Sequence, residues 1–141
     1  MEISVNYLAV LLAALSTMVV GSTWYSPPVF GKLWMKLSGA KPDATMSWGK
    51  TALMYGGVLV ASLVSAYVLA HVTFLSNQVL GGTYLLSALS TAFWVWLGFT
   101  ATRIFTHDTF EGRPKKLTLL NAAHELVTFL VMGLIIGLMG V

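Results

Sequence analysis

Lysine, arginine and proline are all absent from four apolar stretches of the chain, and this pattern constrains the fold more than any other feature. The stretches run approximately over residues 5–22, 51–72, 84–102 and 117–141. Each has close to the roughly 20 residues that a helix needs to cross about 30 Å of hydrocarbon. Because proline falls only between the stretches, each can continue as one unbroken helix. We therefore predict an all-α integral membrane protein with four transmembrane helices.

The composition excludes a water-soluble domain. Soluble domains carry roughly 25% charged residues, whereas this chain has 9% charged and 57% hydrophobic residues. We therefore expect residues 1–141 to form a single transmembrane domain. The absence of cysteine from the sequence also excludes disulfide frameworks and cysteine-based metal or redox centres.

The basic residues predict the orientation in the membrane. Both termini and the second connection, residues 73–83, contain no lysine or arginine. The eight basic residues lie in or beside the first and third connections: Lys32, Lys36, Lys41, Lys50, Arg103, Arg113, Lys115 and Lys116. Basic connections stay on the cytoplasmic side, so we expect a multi-pass protein of the inner (plasma) membrane with both termini outside. The net charge of +3 then reflects topology, and nucleic acid is not an expected partner.

A short amphipathic helix is predicted in the first cytoplasmic connection. Its apolar stripe has spacing i, i+3, i+4 and i+7, and consists of Phe30, Leu33, Trp34 and Leu37. Lys32 and Lys36 lie off this stripe, and Gly39 can end the helix in a left-handed conformation. We expect the helix to lie on the inner leaflet with its lysines near anionic lipid. An irregular loop is the alternative.

The last predicted span carries polar residues on one face of the helix, at spacing i, i+3, i+4 and i+7. They are Asn121, His124, Glu125 and Thr128. At about 1.5 Å per residue, Glu125 lies roughly 8 to 12 Å inside the cytoplasmic edge of the hydrocarbon. A charge there costs about 2.5 to 3.5 kcal/mol, so we expect Glu125 to be protonated or strongly hydrogen-bonded. The functional interpretation is a proton-accepting or cation-attracting site, and the alternative is that these residues only join helices through hydrogen bonds.

Polar and small residues on the other spans are candidate neighbours of this face. The second and third spans offer Tyr55, Ser62, Ser87, Thr91 and Trp94 as facing partners. The first span has a ladder of small residues that lets another backbone approach closely: Ala9, Ala13, Thr17 and Gly21. Such ladders are common in membrane bundles, so packing is the default interpretation for both sets.

No catalytic or metal-binding motif is present in the sequence. His71, His107 and His124 belong to different depths of the predicted bundle, so we expect no metal site within one chain. We also find no nucleophile motif and no glycine-rich phosphate loop. We therefore predict no cofactor.

Several short motifs resemble one known family, nearly from end to end. They are Asn-Tyr-Leu-Ala-Val at 6–10, Trp-Tyr-Ser-Pro at 24–27, Phe-Gly-Lys at 30–32 followed by Trp34, Phe-Glu-Gly-Arg-Pro at 110–114 and Leu-Leu-Asn at 119–121. Together they resemble the small bacterial membrane proteins grouped as the domain of unknown function seventeen sixty-one. The resemblance implies a stand-alone membrane domain, and it brings no activity, ligand or catalytic residue.

The favoured functional hypothesis is a channel or transporter with Glu125 at its polar site. Four short helices leave too little interior for a conduction path, so this hypothesis includes a homo-oligomer formed through the small-residue ladder. Two alternatives remain open. One is a lipid-binding protein or a small membrane enzyme, similar in size and helix count to four-span glutathione-metabolising enzymes but without their intramembrane arginines. The other is a membrane scaffold. Membrane lipids are expected partners in each case, and the sequence does not identify a small-molecule or ion ligand.

Overall fold

The computed structural model describes residues 2–141 and contains helices, turns and no strand within that range. The α-helices are α1 (Tyr7–Trp24), α2 (Lys32–Ser38), α3 (Trp48–Leu80), α4 (Tyr84–Val95), α5 (Thr102–Phe110) and α6 (Lys115–Met139). A π-helical turn at Pro27–Gly31 precedes α2, and another at Trp96–Ala101 makes α4 and α5 one continuous helix.

The long helices agree with the prediction of an all-helical chain. Within residues 2–141, four helices are long and apolar enough to cross a membrane: Tyr7–Trp24, Trp48–Leu80, Tyr84–Phe110 and Lys115–Met139. The prediction of four helices of this kind is therefore confirmed.

These helices form an up-down bundle in which α1 and α4 each pack between α3 and α6. Asn6 caps the start of α1, and its side-chain amide donates to the carbonyl oxygen of Met139 at the end of α6, at 3.4 Å. At the other end of α1, the Tyr25 hydroxyl donates to Oδ1 of Asn121, early in α6. The connections at 25–47 and 111–114 therefore lie at the same end of the bundle, which we call the basic end.

Two of the helices extend well beyond the C-terminal ends of the predicted spans. The second span was predicted to end at residue 72, but α3 continues to Leu80 because Thr73 and Phe74 are buried in the bundle. The third was predicted to end at 102, but its helix continues to Phe110. Hydropathy indicates which part of a helix can lie in hydrocarbon. The helix itself can continue beyond that part, until a residue adopts a backbone conformation that ends it. Gly81 and Gly112, with φ of 70° and 67°, follow the two helix ends.

Small residues allow close contact between α4 and α6 at the end opposite the basic end. A β-carbon added at Gly133 would lie 2.9 Å from Cβ of Ala92, and one added at Gly137 would lie 2.8 Å from Cα of Leu85. Only glycine fits such an approach without a shift of the neighbouring helix. This Gly-x-x-x-Gly pattern is a sequence signal for close helix packing, in addition to the small-residue ladder of α1.

The small-residue ladder of α1 also packs inside the chain. Ala9 is 1% exposed and Ala13 is fully buried, while Thr17 donates a hydrogen bond to Ser62 of α3 at 2.8 Å. The expectation that this ladder joins copies of the chain is therefore wrong, because its central members already contact other helices of the same chain. The homo-oligomer itself stays a prediction.

The N-terminal part of α3 stands apart from the bundle. All residues from 52 to 58 are exposed, whereas Ala66, Leu69 and Ala70 further along the helix are at most 3% exposed. The helix therefore packs closely at the end opposite the basic end and loosely towards the basic end. This separation leaves a cleft between α3, α1 and α6.

The first connection contains the short helix α2. Gly39 ends α2 with a left-handed φ of 71°, as expected. Half of the predicted apolar stripe packs on the protein: the ring centroid of Phe30 lies 4.6 Å from that of Trp24, and Trp34 packs edge-on against Tyr25 at 5.4 Å. Leu33 is 44% exposed and Leu37 is half-buried. The amphipathic character of α2 and its placement on a membrane surface both stay predictions.

Candidate functional site

A cleft of about 750 Å³ lies between the C-terminal half of α1, the N-terminal half of α3 and the middle of α6. This volume is within the range of about 300 to 1,000 Å³ that is usual for small-molecule sites. The α3 wall is open to the surroundings, since Met54, Tyr55 and Val58 are between 47% and 51% exposed. Much of the remaining lining is apolar, including Met18, Phe129 and Met132.

His124 is held firmly at the polar end of the cleft. Its ring centroid lies 4.9 Å from that of Tyr25 and 6.0 Å from that of Trp24. Its Nδ1 atom is 3.4 Å from Oε1 of Glu125, and its Nε2 atom is 3.5 Å from the hydroxyl of Thr128. Both ring nitrogens therefore face polar groups, and the aromatic neighbours fix the plane of the ring.

Glu125 presents its carboxylate to the cleft. Its side chain is 35% exposed, compared with 13% for His124, and it is a lining residue. From the sequence we expected this carboxyl group to be either protonated or strongly hydrogen-bonded, and its protonation state stays a prediction. Within residues 2–141, however, His124 is its only close polar partner, because the part of α3 that faces it stands apart. The second carboxylate oxygen is an acceptor available to a ligand.

The other two polar residues of the predicted face have structural contacts. The Asn121 side chain accepts the hydrogen bond from Tyr25 at 3.0 Å and is not a lining residue. Thr128 is 6% exposed and donates to the carbonyl oxygen of His124 at 2.9 Å. The four residues therefore have different roles. Asn121 joins α6 to α1, and Thr128 bonds to its own helix. His124 and Glu125 are the two that can bind a ligand or exchange a proton.

Two of the predicted facing partners line the cleft and three do not. Tyr55 and Ser62 lie in the α3 wall. Ser87 and Thr91 are buried outside the cleft, and Trp94 is 64% exposed on the surface of α4. The buried face of α4 also includes Ala88 and Ala92, and Trp94 is not part of it.

Aromatic residues at the end of α1 belong to the site, although the sequence indicated them only as part of a family motif. Tyr25 lines the cleft and contacts both Asn121 and His124. The Trp24 indole N–H is buried and has no hydrogen-bond acceptor within residues 2–141. The sequence could have indicated this contact, because an up-down order of four spans places the end of the first helix beside the start of the last.

A cross-helix hydrogen bond positions α6 from its other side. Nε1 of Trp96, at the π-helical turn after α4, donates to the carbonyl oxygen of Ala122 at 2.9 Å. The segment of α6 that carries His124 and Glu125 is therefore held between α1 and α4.

Metal binding has no support in the geometry of residues 2–141, where no three His, Asp or Glu side chains lie close enough to share an ion.

These features define a class of protein: a small helical protein with four candidate membrane spans in its described residues and an open cleft with a His–Glu pair. A family model described as "Protein of unknown function (DUF1761)" matches residues 8–137, so the chain belongs to that family. This confirms the family resemblance of the sequence motifs. Comparison with curated proteins and with solved structures found no match.

Proposed function

We propose that this protein is a membrane-embedded binding protein for a small amphipathic cation, which occupies the cleft between α1, α3 and α6. The observation that carries the proposal is the Glu125 carboxylate, which opens into a largely apolar cleft with no lysine or arginine among its lining residues. Such a site favours a ligand with an apolar body and a positively charged group.

The proposed setting is the plasma membrane, with the basic end in the cytoplasm and both termini outside. Its support is the confinement of all eight basic residues to two connections and the helices beside them, together with an up-down bundle that places those connections at one end. In this setting α2 lies on the inner leaflet, where Lys32 and Lys36 are exposed and available to anionic headgroups.

The chemistry of the cleft supports both halves of such a ligand. Met18, Val58 and Phe129 provide apolar contact for its body. A carboxylate surrounded by protein and lipid attracts a cation more strongly than one in water, because the local dielectric constant is low. The rings of Tyr25 and Tyr55 line the same space, and a cation over such a ring gains about 0.5 to 2 kcal/mol.

The packing beyond the cleft supports binding in preference to conduction through a single chain. Side chains that are at most 1% exposed fill that half of the bundle: Ala13, Ala66, Leu69, Ala92 and Ile136. A channel or transporter would require this packed region to open. Binding is therefore the function that the geometry supports best.

Paired ions of similar shape and opposite charge test the proposal. We expect tetraphenylphosphonium to bind the detergent-solubilised protein above its uptake by empty micelles, and tetraphenylborate to bind at least about tenfold more weakly, a difference of about 1.4 kcal/mol. Equilibrium dialysis measures both affinities. Equal affinity for the two ions would contradict the proposal.

A variant pair assigns the binding to the cleft. Glu125→Gln keeps the shape of the side chain and removes its charge, so we expect tetraphenylphosphonium binding to weaken about tenfold. Glu111→Gln removes a charge from the exposed turn after α5, outside the cleft, and should leave binding unchanged. An unchanged affinity in Glu125→Gln would exclude this site.

A further inference from the structure

A second groove, of about 490 Å³, lies between α5 and α6 at the basic end and shares no lining residue with the cleft. Phe105 and Leu119 form its two sides and are 61% and 71% exposed. Smaller residues, Ala101, Thr118 and Ala122, line it between them. The groove is therefore mainly apolar and lies on the surface of the bundle, along helices that have the length and composition to cross a membrane.

One end of this groove is positively charged. Arg113 and Lys115 line it at the turn between α5 and α6, and both are exposed. The Glu111 carboxylate accepts a hydrogen bond from Nε of Arg113 and raises the pKa of the guanidinium, which therefore stays charged. The hydrogen bond to Glu111 uses Nε, and within residues 2–141 the two terminal nitrogens of Arg113 donate no hydrogen bond to the protein. They remain available as donors.

A second acidic residue, Asp108, lies beside the groove and contacts Arg113. Asp108 is 13% exposed and is not a lining residue. One of its oxygens accepts a hydrogen bond from the Thr118 hydroxyl at 2.7 Å, which joins α5 to α6. The other oxygen faces Nε of Arg113 at 3.9 Å. Asp108 therefore orients the arginine while the terminal guanidinium nitrogens remain available at the groove.

We propose that the groove binds an anionic phospholipid, with an acyl chain between Phe105 and Leu119 and the phosphate group at Arg113 and Lys115. A phosphate can accept paired hydrogen bonds from an arginine fork. Lys115 begins α6, where the partial positive charge of the helix adds to its own. The apolar sides favour a lipid over free phosphate, because a free anion would gain nothing from them.

Lipid titration with native mass spectrometry tests this site. We expect the full chain to bind dioleoylphosphatidylglycerol at least about tenfold more tightly than dioleoylphosphatidylcholine, which has the same acyl chains and no net charge. Arg113→Gln combined with Lys115→Gln should remove most of this preference. Lys41→Gln combined with Lys50→Gln is the matched control, because it removes two charges in or beside the other basic connection, and it should keep the preference.

A second variant pair distinguishes a lipid from a free anion. Phe105→Ala combined with Leu119→Ala removes the sides of the groove and keeps its charges. Both side chains are exposed, so the double variant should fold normally. We expect phosphatidylglycerol binding to fall several-fold, and inorganic phosphate at millimolar concentration not to displace the lipid. Equal affinity for the two lipids, equal loss in the two charge variants, or full binding without the apolar sides would each overturn the proposal.

Discussion

The hydroxyl of Tyr25 donates a hydrogen bond to Oδ1 of Asn121 at 3.0 Å and so joins the end of α1 to the early part of α6. The same tyrosine ring packs against His124 at 4.9 Å and against Trp34 of α2 at 5.4 Å. One side chain therefore holds three elements at the basic end. Two walls of the cleft, α1 and α6, are fixed relative to each other, while α3 forms a more separate third wall.

Replacing Tyr25 with phenylalanine tests this connection. The change keeps the ring and removes the hydroxyl, which leaves the Asn121 side chain without its donor. We expect the free energy of unfolding to fall by about 1 kcal/mol, the usual value of one such hydrogen bond. Denaturation with sodium dodecyl sulfate in mixed micelles measures the change.

Tyr55→Phe is the control for that substitution. Within residues 2–141 the Tyr55 hydroxyl makes no protein hydrogen bond that its removal would break, and the side chain is 51% exposed. Its loss should alter stability by less than about 0.5 kcal/mol. Equal effects of the two substitutions would show that the contact between Tyr25 and Asn121 does not stabilise the fold.

The sequence predicted the positions of the helices better than it predicted which neighbours each helix face contacts. Apolar runs without proline indicated each long helix, since these properties belong to a single segment. Periodicity placed His124 and Glu125 on one face of α6, but it gives only the relative angles of residues within one helix. It does not say which neighbour that face meets, which is why Trp94 lies outside the cleft and the role of Tyr25 was missed.

The cleft itself could not be predicted from hydrophobicity. An apolar residue of a membrane helix is stable against lipid or against another helix, because both environments are equally free of water. Val58 and Leu69 of α3 are both apolar, yet the first is 49% exposed and the second 1% exposed. Small residues indicate helix contacts better than hydrophobicity does, since Gly133 and Gly137 lie where α6 and α4 approach closely.

Gly137→Ala should destabilise the bundle because the new β-carbon would lie 2.8 Å from Cα of Leu85, in the neighbouring helix. Overpacking of this kind costs about 1 to 3 kcal/mol. Gly57→Ala is the matched control, since a β-carbon there meets nothing within 4 Å. In the control, alanine should be neutral or should stabilise α3 by up to about 1 kcal/mol. Thermal unfolding in detergent compares the two variants, and equal stability would contradict the close packing of α4 and α6.

Gly31→Ala should displace α2 from the bundle. A β-carbon at Gly31 would clash with the carbonyl oxygen of Tyr25 and lie 2.8 Å from the carbonyl carbon of Ser26, and neither backbone atom can move without opening the π-helical turn. We expect faster hydrogen exchange across residues 32–38, because local opening of α2 becomes easier.

Gly49→Ala is the control for Gly31→Ala, because a β-carbon at position 49 meets no atom within 4 Å. Exchange across residues 32–38 should then match that of the unaltered protein. Normal protection of this segment in Gly31→Ala would contradict the close approach of the chain to Tyr25.

Single cysteines can test the proposed orientation directly, since the natural sequence has none. Gln78, near the end of α3, and Ala40, after α2, are both exposed and lie at opposite ends of the bundle. We expect Gln78→Cys to react with a membrane-impermeant maleimide in intact cells and Ala40→Cys to react only after permeabilisation, because basic connections stay in the cytoplasm. The opposite pattern would reverse the orientation, and labelling of both in intact cells would exclude a membrane crossing by α3.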